Sequence, residues 1–270
     1  AQVLAFDKNS GVLKWQVEVS GEVVAQPAYA DGRVVVHTTR GDLIALDSDT
    51  GEQLWMLRNK QPKLTLRSSS TPAIAQGGVV YGRADGFVSV ALLATGQPLW
   101  QLPVARAYGA TELDRIVDVD MKPVIRNGVV YALAYNGNLL AIDLLKGKQL
   151  WTRKYAGFSD IALAGNTLYL SDYRGFIFAV DRYSGAEIWS NEQLAYRNVT
   201  GVTVANAYIV VGDGEGYLHW LNRDDGRFVA QQKLDGKGLY MQPVATDSYL
   251  YLQTRSGKLI AIEKPSLNVE

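Results

Sequence analysis

The feature that most constrains this chain is a short segment that returns along the whole sequence. Its clearest copy is LIALDSDTGEQLW, from Leu43 to Trp55. Alternating apolar residues predict one strand, Asp47 and Gly51 predict a tight turn, and the residues up to Trp55 predict a second strand. The aspartate can accept backbone hydrogen bonds within the turn, and the glycine can take a positive φ. Because a lone hairpin cannot bury the tryptophan, neighbouring copies are expected to stack.

The spacing of the copies predicts the fold. Further copies are LAFDKNSGVLKW, SVALLATGQPLW, LAIDLLKGKQLW, FAVDRYSGAEIW and HWLNRDDGRFVA, the last with Ala230 in place of tryptophan. The equivalent glycines are Gly11, Gly51, Gly96, Gly147, Gly185 and Gly226, so the intervals by subtraction are 40, 45, 51, 38 and 41 residues. A second regular hairpin, such as QPAYADGRVVVHTTRG, precedes each complete copy. Four short strands per repeat, without helical periodicity, predict an all-β chain, a β-propeller of four-stranded antiparallel blades with tryptophan-docking repeats.

The blades can be assigned along the chain. Complete blades are predicted at residues 23–58, 70–103, 121–154, 158–191 and 199–232. The chain starts with the third and fourth strands of a blade and ends, at 242–263, with the first three strands of another. We therefore expect a single propeller domain over residues 1–270, about six blade-equivalents that lack upstream N-terminal blades. A self-closed ring of six blades is the alternative.

Composition excludes several classes of function. Lysine plus arginine and aspartate plus glutamate both number 27, so there is no basic field for nucleic acid. The chain has no cysteine, which excludes a disulfide scaffold and a thiolate metal site, and its apolar runs are only strand-length. The two histidines, His37 and His219, fall in distant predicted strands. Asp213 and Glu215 in GDGEG do not complete a calcium loop and are read as a hairpin turn. The sequence predicts no catalytic, cofactor-binding or metal-binding residue.

Two insertions depart from the repeat, and both are expected to emerge on the same face. They are MLRNKQPKLTLRSSST after Trp55 and QLPVARAYGATELDRIVDVDMK after Trp100. Apolar anchors rimmed by charge have the composition of a protein-binding patch. The predicted partner-binding residues are Leu64, Leu66, Arg67, Glu112, Asp114, Arg115, Asp118 and Asp120. The alternative is that the leucines tuck under their own loop and the acids stay solvated.

Segments outside and inside the repeat resemble a known family. The repeat is similar to that of quinoprotein-dehydrogenase-like propellers. More specific are KLTLRSSSTP, ATELDRIVDVD, YNGNLLAIDL and VVGDGEGYLHWLNRDDGRFVAQQK, which span nearly all of the chain. With these segments the chain resembles the BamB family, lipoprotein subunits of the outer-membrane β-barrel assembly machinery.

This resemblance implies an eight-bladed, non-enzymatic scaffold at the periplasmic face of the bacterial outer membrane. Its implied partner is the set of periplasmic (POTRA) domains of the central barrel subunit BamA, and its role is to aid β-barrel protein folding and insertion. The family's Leu-x-Leu-Arg and Asp-x-Asp partner segments match Leu64, Leu66, Arg67, Asp118 and Asp120. The lipid-bearing cysteine and the first two blades are absent from this chain. Contact with unfolded outer-membrane protein clients is a further hypothesis.

The enzymatic alternative is a pyrroloquinoline-quinone-dependent dehydrogenase, because the same repeat builds those propellers. Such an enzyme needs a calcium-type cluster of oxygen ligands and a catalytic carboxylate. Carboxylates here sit mostly at turns, as at Asp47, Asp143 and Asp181. We therefore predict that the chain is not an enzyme.

Overall fold

A computed structural model describes residues 1–66, 69–112, 114–157 and 159–265 of the chain. These residues form strands, turns and connecting segments, and none of them lies in a helix that is long and apolar enough to cross a bilayer. The chain divides into two compact units, Ala1–Ala156 and Gly157–Glu270.

The first unit contains three complete sheets and one two-stranded sheet. Its strands are β1 (Gln2–Phe6), β2 (Leu13–Glu18), β3 (Ala28–Ala30), β4 (Arg33–His37), β5 (Asp42–Asp47), β6 (Gln53–Arg58), β7 (Ala73–Ala75), β8 (Gly78–Gly82), β9 (Phe87–Leu92), β10 (Pro98–Pro103), β11 (Val124–Arg126), β12 (Val129–Leu133), β13 (Leu139–Asp143) and β14 (Lys148–Arg153). Consecutive strands pair antiparallel as β1-β2, β3 to β6, β7 to β10 and β11 to β14. Each four-stranded sheet is one blade.

The second unit repeats this pattern and ends in a three-stranded sheet. Its strands are β15 (Ala162–Ala164), β16 (Thr167–Ser171), β17 (Ile177–Asp181), β18 (Glu187–Asn191), β19 (Thr203–Ala205), β20 (Tyr208–Gly212), β21 (Tyr217–Asn222), β22 (Phe228–Lys233), β23 (Val244–Ala245), β24 (Tyr249–Gln253) and β25 (Leu259–Glu263). The sheets are β15 to β18, β19 to β22 and β23 to β25. The predicted blades and the two partial blades are confirmed, with β22 extending one residue beyond the predicted end. That the units form one domain over residues 1–270 stays a prediction.

The repeated turn has the chemistry that its sequence predicts. Asp47 accepts hydrogen bonds through Oδ1 from the backbone amides of Asp49 and Thr50, both at 2.9 Å. Gly51 follows with φ of 76°, where a side chain would be strained. The pairing of β5 with β6 then changes register: Ala45 pairs with Trp55, whereas Leu46 pairs with Gln53, and this shift marks a β-bulge. This bulge completes the turn into the strand that carries Trp55.

Within the two units, four repeat tryptophans of the described residues dock on the turn glycine of the following blade. A Cβ added to Gly51 would lie 2.7 Å from ring atoms of Trp15, so only hydrogen fits there. The Trp15 indole also donates a 2.9 Å hydrogen bond to the carbonyl of Ser48 in the same turn. The same arrangement joins Trp55 to Gly96, Trp100 to Gly147 and Trp189 to Gly226, with indole hydrogen bonds to Leu93, Leu144 and Arg223 carbonyls. Tryptophan docking, predicted from the repeat, is confirmed.

The cores lie between facing sheets. One cluster joins Val35 and Leu43 of the β3 to β6 blade with Val79, Tyr81 and Leu93 of the β7 to β10 blade. Equivalent clusters fill the next gap in the first unit and both gaps in the second unit. Blades therefore bury their apolar faces against one another, and the fold is a β-propeller.

Candidate functional site

Two long connectors leave the outer strands of neighbouring blades and meet. The first connector, residues 59–72, follows β6, and the second connector, residues 104–123, follows β10. The Leu66 backbone amide donates a 2.7 Å hydrogen bond to Asp118 Oδ2. The Ser70 hydroxyl donates a second hydrogen bond, 2.8 Å long, to the carbonyl of Met121. The two insertions that the sequence singled out therefore form one surface, which we call the connector surface.

The first connector presents the predicted leucines unequally. Leu64 is exposed, with 41% of its surface accessible, whereas Leu66 is half-buried. Arg67, the third residue of the predicted Leu-x-Leu-Arg anchor, lies outside the described residues. Leu64 thus presents an apolar side chain to solvent, and Leu66 is held through its backbone amide.

The end of the first connector is fixed to the neighbouring blade through His37 at the end of β4. His37 Nδ1 lies 3.1 Å from the Ser70 carbonyl, which can only accept, so Nδ1 carries the proton. The Ser69 hydroxyl donates a 3.2 Å hydrogen bond back to the His37 carbonyl. Burial lowers the pKa of His37 despite the Ser70 hydrogen bond, because the charged imidazolium would lose its hydration. The neutral ring packs edge-on against Tyr81, with centroids 5.5 Å apart.

The outer part of the second connector is an exposed polar turn. Asp114 accepts a 3.1 Å hydrogen bond from the Thr111 amide, and the Asp114 amide donates a 3.2 Å bond to the Thr111 hydroxyl. Hydrogen bonds from Thr111 hold the pKa of Asp114 below its ordinary value. Arg115 donates to the Gly109 carbonyl at 3.0 Å and lies 3.7 Å from Glu112. Glu112, Asp114 and Arg115 are therefore exposed charged residues.

The inner part of the second connector is buried, which the sequence did not predict for Asp118. Only 1% of the Asp118 surface is accessible, between buried Val117 and Val119. The Val119 amide donates a 3.1 Å hydrogen bond to the Arg83 carbonyl, and a Cβ on Gly82 would overlap the Val119 carbonyl oxygen. The alternative in which the acids stay solvated is wrong for Asp118, because this stretch packs against the end of β8 in the β7 to β10 blade.

Asp118 is buried near two other carboxylates, those of Asp120 and Asp85. Its Oδ1 forms no hydrogen bond with a described residue, while Oδ2 accepts from Leu66. Burial, and then the negative charge of the half-buried Asp120, raise the pKa of Asp118 to about 7, with Asp85 adding to the effect. A carboxylate that is costly to ionise is thus placed directly under the exposed leucine segment. Its position indicates that it holds the first connector rather than facing solvent.

Sequence reasoning missed several residues that build the connector surface. His37 and Ser70 fix the first connector, and Asp85 contributes charge near Asp118. The available signals were weak: a histidine at the end of a buried strand, and the alternation IVDVD, which places two valines on one side of a strand. Neither signal identifies which distant residue will be contacted.

The other candidate residues take structural roles. Asp213 Oδ1 accepts the Glu215 and Tyr217 amides at 3.0 and 2.9 Å, which confirms the hairpin-turn reading of GDGEG. Its Oδ2 accepts from His219 Nε2 at 2.8 Å and from Arg197 Nε at 2.7 Å. Within the described part of the chain, no three His, Cys, Asp or Glu residues are grouped so that they can hold a metal ion.

Comparison with known proteins identifies the family. Residues 1–191 match a family model described as outer membrane protein assembly factor BamB. The BamB of Yersinia pestis is 43% identical over 264 residues, which cover 98% of this chain and 67% of that protein. The BamB of Vibrio cholerae serotype O1 is 46% identical over 241 residues, covering 89% of this chain and 62% of that protein.

A solved structure supports the same assignment. The crystal structure of BamB from Moraxella catarrhalis matches with a TM-score of 0.91 at 26% identity, covering 98% of this chain and 79% of that chain. The chain spans 62 to 67% of the length of the two curated relatives named above. These relatives carry the name of an assembly factor and not of a quinone-dependent dehydrogenase. The chain belongs to the BamB family of outer membrane protein assembly factors, which are not enzymes.

Proposed function

We propose that this chain is a scaffold subunit in outer membrane protein assembly, and that its connector surface binds the periplasmic POTRA domains of BamA. Its role there is to aid the folding and insertion of β-barrel proteins at the periplasmic face of the outer membrane. The membership of the BamB family supports the assembly role. The contact with BamA follows from the family resemblance and is a proposal for this chain.

The observation that carries the proposal is the hydrogen bond between the Leu66 amide and Asp118. It fixes an apolar segment, with Leu64 exposed, to the connector that also carries the charged residues Glu112, Asp114 and Arg115. A preordered apolar anchor with a polar rim loses little conformational entropy when it binds, which favours affinity. The rim charges then contribute mainly to orientation and to the rate of association.

The predicted anchor residues divide between two roles in this proposal. Leu64, Glu112, Asp114 and Arg115 are accessible and contact the partner directly. Asp118, which is buried, acts by positioning the Leu66 backbone. The proposal also assigns Arg67 to the partner contact, on the family pattern alone.

The test is a calorimetric titration of the whole chain with the POTRA domains of BamA. The variant is Leu64→Ala, Leu66→Ala, Arg67→Ala. The control replaces two other leucines and an arginine in the same unit, Leu145→Ala, Leu150→Ala, Arg126→Ala, where both leucines are more exposed than Leu64. We expect the first variant to weaken binding at least about tenfold and the control to bind like the unmodified chain.

Two results would count against this assignment. Equal loss of binding in both triple variants would mean that the leucines act through stability and not through contact. Normal binding by the Leu64, Leu66 and Arg67 variant would place the partner elsewhere on the chain. Melting temperatures of all three proteins separate loss of folding from loss of contact.

A further inference from the structure

A cavity of about 480 Å³ opens between the β3 to β6 blade and the β7 to β10 blade, beside the connector surface. Its walls include Leu57 of β6, Asn59 at the start of the first connector, and Tyr81, Leu99 and Trp100 of the next blade. Leu99 is half exposed, so the apolar wall is accessible from solvent. The sequence did not predict that these residues would line a common cavity.

Three cations line this cavity: Arg58, Lys60 and Arg83. The ion pair of Arg83 with Asp85 neutralises one of them. Arg58 and Lys60 are exposed and form no ion pair with a described residue. The mouth of the cavity therefore carries an excess of positive charge, although the whole chain has a formal net charge of zero.

Asn59 anchors the backbone between the two exposed cations. Its amide nitrogen donates a 2.9 Å hydrogen bond to the Gly41 carbonyl, and its Oδ1 accepts from the Tyr81 hydroxyl at 3.3 Å. Because Arg58 and Lys60 are its chain neighbours, anchoring Asn59 on both sides holds their backbones at the cavity mouth. Such preorganisation favours binding of an anionic group.

Two buried donors in the wall lack a hydrogen bond to any described residue. They are Arg83 Nε and the hydroxyl of Ser89, a residue that is only 4% exposed. The other guanidinium nitrogens of Arg83 are used, Nη1 by Gln101 at 2.6 Å and Nη2 by Asp85. Buried donors are normally satisfied, so unused ones in a cationic cavity point to a missing acceptor.

We propose that this cavity receives the carboxylate of an aspartate or glutamate side chain from a partner polypeptide, with the neighbouring apolar part of that segment against Leu99 and Trp100. A carboxylate is the acceptor that matches guanidinium, ammonium and hydroxyl donors. The apolar wall fits a peptide better than a small inorganic anion, because an anion alone would leave the exposed side chain of Leu99 in water.

The cavity adjoins the connector surface on both sides. Lys60 lies on the first connector, four residues before Leu64, and the Arg83 carbonyl accepts the Val119 amide of the second connector. One partner can therefore cover both. The inference rests on the proposed function only for the identity of that partner, and the chemistry of the cavity is tested without it.

The test is a methyl NMR titration of the folded chain that follows Leu57 and Leu99. The probe is a short peptide that alternates leucine and glutamate, compared with the same peptide carrying glutamine and with free glutamate. We expect saturable shifts with the acidic peptide that weaken with salt, and about tenfold weaker binding in Arg58→Ala, Lys60→Ala. The control Arg126→Ala, Lys148→Ala, two exposed cations of the β11 to β14 blade, should behave like the unmodified chain.

Three outcomes would overturn the inference: equal shifts with the glutamine peptide, shifts with free glutamate as strong as with the peptide, or no response of Leu57 and Leu99. The same two variants are then titrated with the POTRA domains of BamA. A failure of the unmodified chain to bind those domains, with the peptide response intact, contradicts the proposed function and not the cavity.

Discussion

The backbone amide of Leu66 lies 2.7 Å from the buried carboxylate of Asp118, across 52 positions of sequence and between the connectors of two different blades. One oxygen of that carboxylate is used by the amide, and the other forms no hydrogen bond with a described residue. The contact therefore supports the exposed Leu64 segment through one oxygen of the carboxylate.

Removal of this support should free the Leu66 amide. We expect Asp118→Ala to speed hydrogen exchange of the Leu66 amide by at least about tenfold, because a lost hydrogen bond to a charged or buried acceptor is worth about 1–3 kcal/mol. Amide exchange followed by NMR measures this directly. The matched control is Asp114→Ala, an exposed acid of the same connector that bonds Thr111 instead. Unchanged exchange in Asp118→Ala would mean that other contacts fix the segment.

The pKa of Asp118 gives stability a definite pH dependence. In the unfolded chain the group ionises near 3.8, whereas burial and Asp120 raise the pKa to about 7 in the folded chain. Between these values the unfolded state has lost the proton and the folded state has kept it, so stability falls as pH rises and then levels off above 7.

The variant Asp118→Asn keeps an acceptor for the Leu66 amide and removes the titration. Its melting temperature should exceed that of the unmodified chain more at pH values above 7 than near pH 5. Thermal unfolding at the two pH values measures the difference. If the melting temperatures of the variant and the unmodified chain differ by the same amount at both pH values, Asp118 does not titrate between pH 5 and pH 7.

The docking of Trp15 on Gly51 predicts a steric effect that can be separated from backbone strain. Gly51→Ala places a methyl group 2.7 Å from the indole at φ of 76°, whereas Gly11→Ala, at φ of 71°, meets no atom within 4 Å. Both substitutions carry the penalty of a left-handed alanine. We expect Gly51→Ala to lose about 1–3 kcal/mol more unfolding free energy than Gly11→Ala in urea denaturation. Equal losses would mean that the indole moves aside freely.

The buried charge of Asp213 predicts a large loss of stability when it is removed. Burial alone would raise its pKa, but hydrogen bonds from His219, the Tyr217 amide and Arg197 outweigh burial and lower it. Asp213→Ala should cost about 3–5 kcal/mol, because His219 and Arg197 lose their partner.

The neighbouring Glu215→Ala serves as the control for that substitution. Glu215 pairs with the same Arg197 at 2.9 Å but its side chain is 62% exposed, so we expect a change within about 0.5 kcal/mol. Since the pKa of Asp213 is lowered, its contribution is present above pH 3.8 and is lost as pH falls below that value. Chemical denaturation near neutral pH and in acid measures both effects.

The sequence was sufficient for the blades because their determinants are local. An aspartate that bonds amides two and three residues on, a glycine with positive φ and a tryptophan four residues later recur within one short window, as at Asp47, Gly51 and Trp55. Local signals of this kind repeat, and the repetition identifies them.

The sequence alone could not predict the burial of Asp118 or the cavity, because both depend on contacts between blades. Whether Asp118 faces water is decided by Gly82 and Val119, which meet only when the second connector packs on the blade tip. Likewise, Arg58 and Arg83 line one cavity although they belong to different blades. Composition identified the charged residues of the second insertion and could not assign which of them are buried.

The tryptophan-to-glycine docking also bears on how such chains change length in evolution. The tryptophan of one blade is completed by a glycine of the next, as with Trp15 and Gly51. When one whole repeat is gained or lost, every indole still packs against a turn glycine. A deletion that ends within a repeat leaves an indole without its glycine or a turn without its indole. Genes for such proteins should therefore lengthen and shorten by whole blades, and the long insertions should vary only where strands have already ended.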